Sequence, residues 1–176
     1  MLHHMKKHIP NTITCCNLIS GCIATLYASQ ANYSMALTLI NIGAVFDFFD
    51  GFTARLLHVS SPVGKELDSL ADDITFGFAP ATIVYSMLKT TLSSSTCGTE
   101  ACPLITLLPY AACIIAAFSA LRLAKFNLDE RQATSIIGLP TPANALFWGA
   151  HSLTLSTHGW LVPNTTLAIC LLVGIL

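Results

Sequence analysis

The sequence predicts an all-α, polytopic membrane protein, a bundle of six transmembrane helices forming a single domain over residues 1–176. Three observations carry that prediction. Of the 176 residues, 53% are apolar and only 10% are charged, where a soluble domain would carry about a quarter charged residues. The mean hydropathy is +0.66, and the apolar residues fall into runs near the roughly 20 residues that a helix needs to cross a bilayer. The basic residues, finally, alternate between connections in the way that membrane insertion imposes.

Polar punctuation divides the apolar runs into helices at about 12–30, 34–57, 66–88, 104–125, 141–157 and 162–176. The first is expected to begin after Pro10-Asn11-Thr12, and the fifth after Gly138-Leu139-Pro140-Thr141-Pro142, since proline suits a first turn. The run from Pro163 to Leu176 is short for a span at 1.5 Å per residue, so the sixth helix reads as truncated and the chain as a fragment. Lys6 and Lys7 precede the first run with no small-residue cleavage site after it, which reads as a membrane helix and not a removed signal peptide.

With the N-terminus in the cytosol, the inner segments hold Lys6, Lys7, Arg55, Lys65, Arg122, Lys125 and Arg131, and the outer loops hold only Lys89. That split places a multi-pass protein in the cytoplasmic (inner) membrane and supports six helices. The formal net charge of −1 supplies no field for nucleic acid. Of the seven cysteines, Cys16, Cys22, Cys113 and Cys170 lie in apolar runs and read as small buried hydrophobes. Cys97 and Cys102 share a polar loop, where a disulfide and two free thiols are both open readings.

Six of the nine acidic residues lie between positions 47 and 73: Asp47, Asp50, Glu66, Asp68, Asp72 and Asp73. Carboxylates near a bilayer are costly and mark function by default. At about 100° per residue, Asp47, Asp50, Gly51 and Ala54 share one helix arc, and Asp68 and Asp72 stand one turn apart on the next helix. Four carboxylates can therefore converge across a short connection, while Asp73 and Glu66 point elsewhere. Two such charges about 4 Å apart repel by roughly 4 kcal/mol at an effective dielectric of about 20, so a positive group must lie between them. Arg55 and Lys65 could supply it for one pair, or the acids could cap helices in a solvated loop. All-oxygen ligation suits a hard cation, Mg²⁺ or Mn²⁺, better than Zn²⁺. Gly51 and Ala54 leave room for a ligand beside it.

The stretch Asp47-x2-Asp50-Gly51-x2-Ala54-Arg55-x8-Gly64-x3-Asp68-x3-Asp72 resembles the signature of the CDP-alcohol phosphatidyltransferases at every fixed position. Ile9-Pro10-Asn11-Thr12-Ile13-Thr14, Phe76-Gly77-Phe78-Ala79-Pro80-Ala81, Leu121-Arg122-Leu123-Ala124-Lys125-Phe126-Asn127 and Gly138-Leu139-Pro140-Thr141-Pro142 extend the likeness to the bacterial branch whose acceptor is serine. Ser69 stands directly after the third aspartate, where family members that act on glycerol 3-phosphate usually carry proline.

The resemblance implies transfer of the phosphatidyl group of CDP-diacylglycerol to the hydroxyl of L-serine, giving phosphatidylserine and CMP. It further implies two ions, Mg²⁺ or Mn²⁺, on Asp47, Asp50, Asp68 and Asp72, with Asp72 also the general base. Gly51, Ala54 and Arg55 would border the nucleotide, with Asn11, Thr14 and Asn17 contributing polar groups from the first helix. Gly64, Lys65, Arg122 and Lys125 would receive the lipid phosphate or the serine. For Arg55, Arg122 and Lys125, interface anchoring explains the charge as well, and for Asn11, Thr14 and Asn17 so do helix capping and helix–helix hydrogen bonds. The implied site is a polar cavity open to the cytosol in a homodimeric, lipid-embedded enzyme. Glycerol 3-phosphate or inositol phosphate as acceptor, and a cation transporter, are the competing readings.

Overall fold

In the computed structural model, residues 2–59, 61–95, 107–128 and 140–158 are described, with side chains over 8–59, 61–93, 107–128 and 140–154. They fold into five helical rods with no strand among them. Helix α1 (Leu2–Ser29) and helix α2 (Tyr33–Leu56) form an antiparallel hairpin. The third rod is continuous through α3 (Pro62–Asp72), a π-helical turn (Asp73–Phe78) and α4 (Ala79–Ser95). A 3₁₀ turn (Leu108–Ala112) leads into α5 (Cys113–Leu128), and α6 is Thr141–His158.

Each turn has a local cause. After α1, the Asn32 N–H donates to the Tyr27 carbonyl and Ala31 N–H to that of Ala28, while Ala31 takes a left-handed backbone with φ 59°. Helix α2 ends the same way, through Val59 to Ala54 and His58 to Arg55 with His58 at φ 50°. Both are Schellman closures, which satisfy the last carbonyls and reverse the chain sharply. Asn32 caps α2 by accepting from the Met35 N–H at 3.3 Å. Ser61 caps α3 by accepting from Gly64 N–H at 2.9 Å, and Pro62 occupies the first turn.

Three of the expected helices, the second, fourth and fifth, stand close to their predicted places, and the exceptions are instructive. Pro10 does not start the first helix but lies inside it, because a proline removes one backbone bond without forbidding the turns before it. The third helix runs far beyond 66–88 at both ends, since the Ser61 cap begins it early. The expected sixth helix at 162–176 lies outside the described residues, as do Arg131, Cys97, Cys102 and Cys170. Among the described residues, three helices, His8–Ser29, Tyr33–Leu56 and Leu108–Leu128, are long and apolar enough to cross a membrane.

The interior is built from small residues. Ala24, Ala28, Ala36, Ala79 and Ala145 are fully buried around Ile40, Phe76 and Ile83, as expected where close backbone approach and interhelical polar contacts hold helices together. Ser20 Oγ donates to the Leu39 carbonyl at 2.7 Å, and Asn127 Nδ2 donates to Ser69 Oγ at 2.7 Å. Large side chains instead point outward, among them Ile19, Leu26, Phe48, Phe52, Phe118 and Leu121. The cysteines follow them: Cys15, Cys22 and Cys113 are exposed and Cys16 half-buried, all as free thiols. The expectation of buried cysteines is thus corrected at Cys22 and Cys113, because an apolar run bound for lipid need not face the protein's interior.

The tightest junction joins α1, α2 and the π turn. A methyl group at Gly21 would collide with Thr75 Oγ1 and stand 2.9 Å from the Thr75 Cα. One at Gly43 would stand 2.6 Å from Thr75 Cγ2 and 2.9 Å from Asn17 Oδ1. Gly21→Ala should therefore destabilise the detergent-solubilised protein by about 1–3 kcal/mol, the usual cost of overpacking against backbone. Ile19→Ala, on the outward face, should stay within about 0.5 kcal/mol. Denaturant or thermal unfolding compares the two.

Candidate active site

The C-terminal half of α2, the N-terminal half of α3 and the N-terminal half of α1 border a cavity of about 220 Å³. Pro10, Asn11 and Thr14 line it from α1, Asp50, Gly51 and Ala54 from α2, and Ser61, Gly64, Lys65 and Asp68 from the start of α3, with Val59 between. Its two glycines have distinct reasons. A methyl group at Gly64 would fall 2.9 Å from both Asn11 Oδ1 and Ser61 Oγ, so the bare backbone lets α1 and the α3 cap meet. Gly51 faces open space, with only Arg55 Nη2 within reach at 3.6 Å of where a methyl group would be. It leaves volume for a ligand and does not relieve a clash.

Three carboxylates converge at this cavity. Oxygens of Asp47, Asp50 and Asp68 lie within 4.8 Å of one another. Helical periodicity explains the first two, three residues apart on α2, and the short connection through His58 and Ser61 brings Asp68 against them. Asp72, one turn beyond Asp68, stands within side-chain hydrogen-bonding reach of Asp47 on one side. On the other it accepts from Asn17 Nδ2 at 3.3 Å. Thr14 stands beside Asp50.

The donor set fits a hard cation. Asp50 Oδ2 and Asp68 Oδ1 are buried and have no hydrogen-bond partner, and such orphaned charged atoms cost several kcal/mol unless a positive group meets them. Arg55 and Lys65 are both exposed, so neither fills that place. At the observed spacing each ionised pair repels by about 3.5 kcal/mol at an effective dielectric of about 20, and a divalent ion among three carboxylate oxygens reverses the sign.

Of the residues singled out from the sequence, Asn11, Thr14, Asp50, Gly51, Ala54, Gly64, Lys65 and Asp68 line the cavity together. Asp47 joins through the cluster, and Arg55 through its approach to Gly51. Arg122 and Lys125 sit on α5, outside the lining. Asn17 is not a cavity residue but a partner of Asp72. Pro10, Val59 and Ser61 were not foreseen; only Ser61, a serine immediately before proline and a helical run, carried a local signal, that of an N-cap. Glu66 is exposed, as expected of a bystander, whereas Asp73 Oδ1 is buried and unpaired on the π turn, away from the cavity lining.

A family model for the CDP-alcohol phosphatidyltransferases matches residues 7–176. The chain belongs to that family. Among curated proteins it is 37% identical over 136 residues to the CDP-diacylglycerol–serine O-phosphatidyltransferase of Bacillus subtilis, covering 77% of this chain and 70% of the relative. The Helicobacter pylori (strain ATCC 700392 / 26695) protein of the same name is 31% identical over 172 residues, 95% of this chain and 68% of the relative. The Mycobacterium leprae protein of that name is 34% identical over 145 residues, 78% of this chain, and the match covers 44% of that longer relative.

Replacing Asp50 or Asp68 by Asn should weaken Mn²⁺ binding at least about tenfold, since one unit charge near the ion is worth several kcal/mol. Glu66→Gln should leave it unchanged. Titration of the purified protein followed by electron spin resonance of free Mn²⁺ reads the difference directly.

Proposed function

We propose that the protein is a six-helix enzyme of the inner membrane that transfers the phosphatidyl group of CDP-diacylglycerol to L-serine, forming phosphatidylserine and releasing CMP. The observation that carries this reading is the convergence of Asp47, Asp50 and Asp68 on a cavity whose other walls are small, neutral side chains and the single cation Lys65. The shared name of relatives at 31–37% identity supports the choice of serine.

Asp47, Asp50 and Asp68 would hold two divalent ions, Mg²⁺ or Mn²⁺, with Asp72 completing the second site. When bound, such ions neutralise a pyrophosphate and stabilise the charge that develops in its displacement. The rest of the work falls to the chain. Gly51 and Ala54 leave room for the cytidine and its ribose, Asn11 and Thr14 offer it polar contacts, and Arg55 presents a planar fork of donors to a phosphate. Lys65, at the cavity wall, attracts the lipid phosphate or the serine carboxylate, and Gly64 keeps the wall thin. Arg122 and Lys125 would act on the incoming lipid or serine from α5.

Asp72 accepts the proton of the serine hydroxyl, whose oxygen forms a bond to the phosphorus bearing diacylglycerol. The bond from that phosphorus to the CMP oxygen breaks, and Asp72 later yields its proton to solvent. A homodimer with the N-terminus and the cavity on the cytosolic side completes the reading. In that orientation Lys89 lies on the far side, separated from Asp68 by about 30 Å of helix.

With Mn²⁺ or Mg²⁺, CMP release from CDP-diacylglycerol should require L-serine in a panel of acceptors. Release driven by glycerol 3-phosphate or inositol phosphate, with serine inert, would replace the acceptor and leave the metal-dependent transfer standing. Asp72→Asn should lower kcat by at least about a hundredfold, the scale of general-base catalysis, with affinity for CMP nearly unchanged. Full turnover in that variant would remove Asp72 from its role.

A further inference from the structure

We propose that Asn17 is a positioning residue for Asp72, aiming its carboxylate from α1, and that Thr75 in the π turn locks the two together. The inference rests on Asp72 being the proton acceptor and extends that reading to a residue that touches neither nucleotide nor cavity. Asn17 is fully buried, two turns above Pro10 and Asn11, and its Nδ2 donates to Asp72 Oδ1 at 3.3 Å. Its Oδ1 is buried without a partner. A side chain that leaves one acceptor unsatisfied in order to direct its donor at a carboxylate contributes little as structural cement, because the orphaned oxygen costs about as much as the bond returns.

The backbone around it is equally committed. Thr75 Oγ1 donates to the Asn17 carbonyl at 3.2 Å, and both residues are fully buried. Thr75 fits there only because Gly21 and Gly43 have no side chains, and the Gly43 side of the joint also abuts Asn17 Oδ1 at 2.9 Å from where a methyl group would sit. Thr75 lies three residues beyond Asp72, within the π turn, where the additional residue per turn shifts the register of everything after it. The turn thus lets one rod present Asp72 to Asn17 and Thr75 to the α1–α2 joint. With that hydrogen bond in place, one Asp72 oxygen is tied to α1, which fixes the carboxylate between Asn17 and Asp47.

The test is a split between kcat and binding. Asn17→Leu keeps the branched shape and removes the donor; Asn17→Ala removes the side chain beyond Cβ, and serves if leucine prevents folding. Either should lower kcat about 10- to 100-fold, the scale set by a misplaced reacting group. KM for CDP-diacylglycerol, CMP affinity in Mn²⁺ and the thermal midpoint relative to a Glu66→Gln control should change little. Full kcat in both variants, with Asp72→Asn still inactive, would overturn the role of Asn17 and leave that of Asp72 intact. Full kcat in Asp72→Asn would instead remove the base on which the inference rests. CMP affinity and kcat lost in parallel in both Asn17 variants would make Asn17 structural and also overturn the proposal.

Discussion

Mutual repulsion among partly buried aspartates is the constraint around which the molecule is arranged. Asp47, Asp50 and Asp68 come from two helices that an ordinary bundle would let relax apart, since separation by a few ångströms would relieve several kcal/mol. What prevents it is packing with no slack. The Ser61 cap and Pro62 fix where α3 begins, Gly64 lets it close against Asn11, and Thr75 is wedged between two glycines farther along. The rods cannot part without breaking those contacts, so a site ready for cations is held open by contacts that are themselves neutral.

This division explains what the sequence could and could not reveal. Asp47 and Asp50 were legible as partners because a spacing of three puts two side chains on one helix face, and Asp68 with Asp72 for the same reason at a spacing of four. The helices were legible from the length of apolar runs. Register between rods was not, because nothing in the local pattern around Asn17 says that its amide meets a carboxylate 55 residues away. The π turn is similarly hidden, since its cause is the tertiary fit of Thr75 against Gly21 and Gly43 and not the propensity of Asp73–Phe78.

Two local inferences fail, each for its own reason. Proline at position 10 was read as a start signal and cysteines as interior residues, both habits of soluble proteins. Here Pro10 is embedded in α1 and buried against the cavity, and Cys22 and Cys113 face outward with the leucines and phenylalanines. When the surroundings are as apolar as the core, burial no longer sorts side chains by hydrophobicity. Small residues occupy the closest helix contacts because they allow approach, and many bulky ones go outside because the surroundings welcome them, while Trp148, Phe76, Ile40 and Ile83 fill the wider parts of the interior.

The aromatic ridge on α2 gives the cavity a further meaning. Phe48 is 67% exposed and Phe52 51% exposed, with stacked rings 6.3 Å apart, flanking the buried Asp50 and Gly51 in sequence. The cavity is lined by polar and small residues, so on the proposed reading the acyl chains stay in the surrounding leaflet beside this ridge while the headgroup enters. Encounter then happens by lateral diffusion in two dimensions. The variable that saturates such a catalyst with its lipid substrate is the mole fraction of liponucleotide in the membrane or micelle, and at fixed serine and ion concentrations a larger aqueous volume leaves the turnover rate per particle untouched.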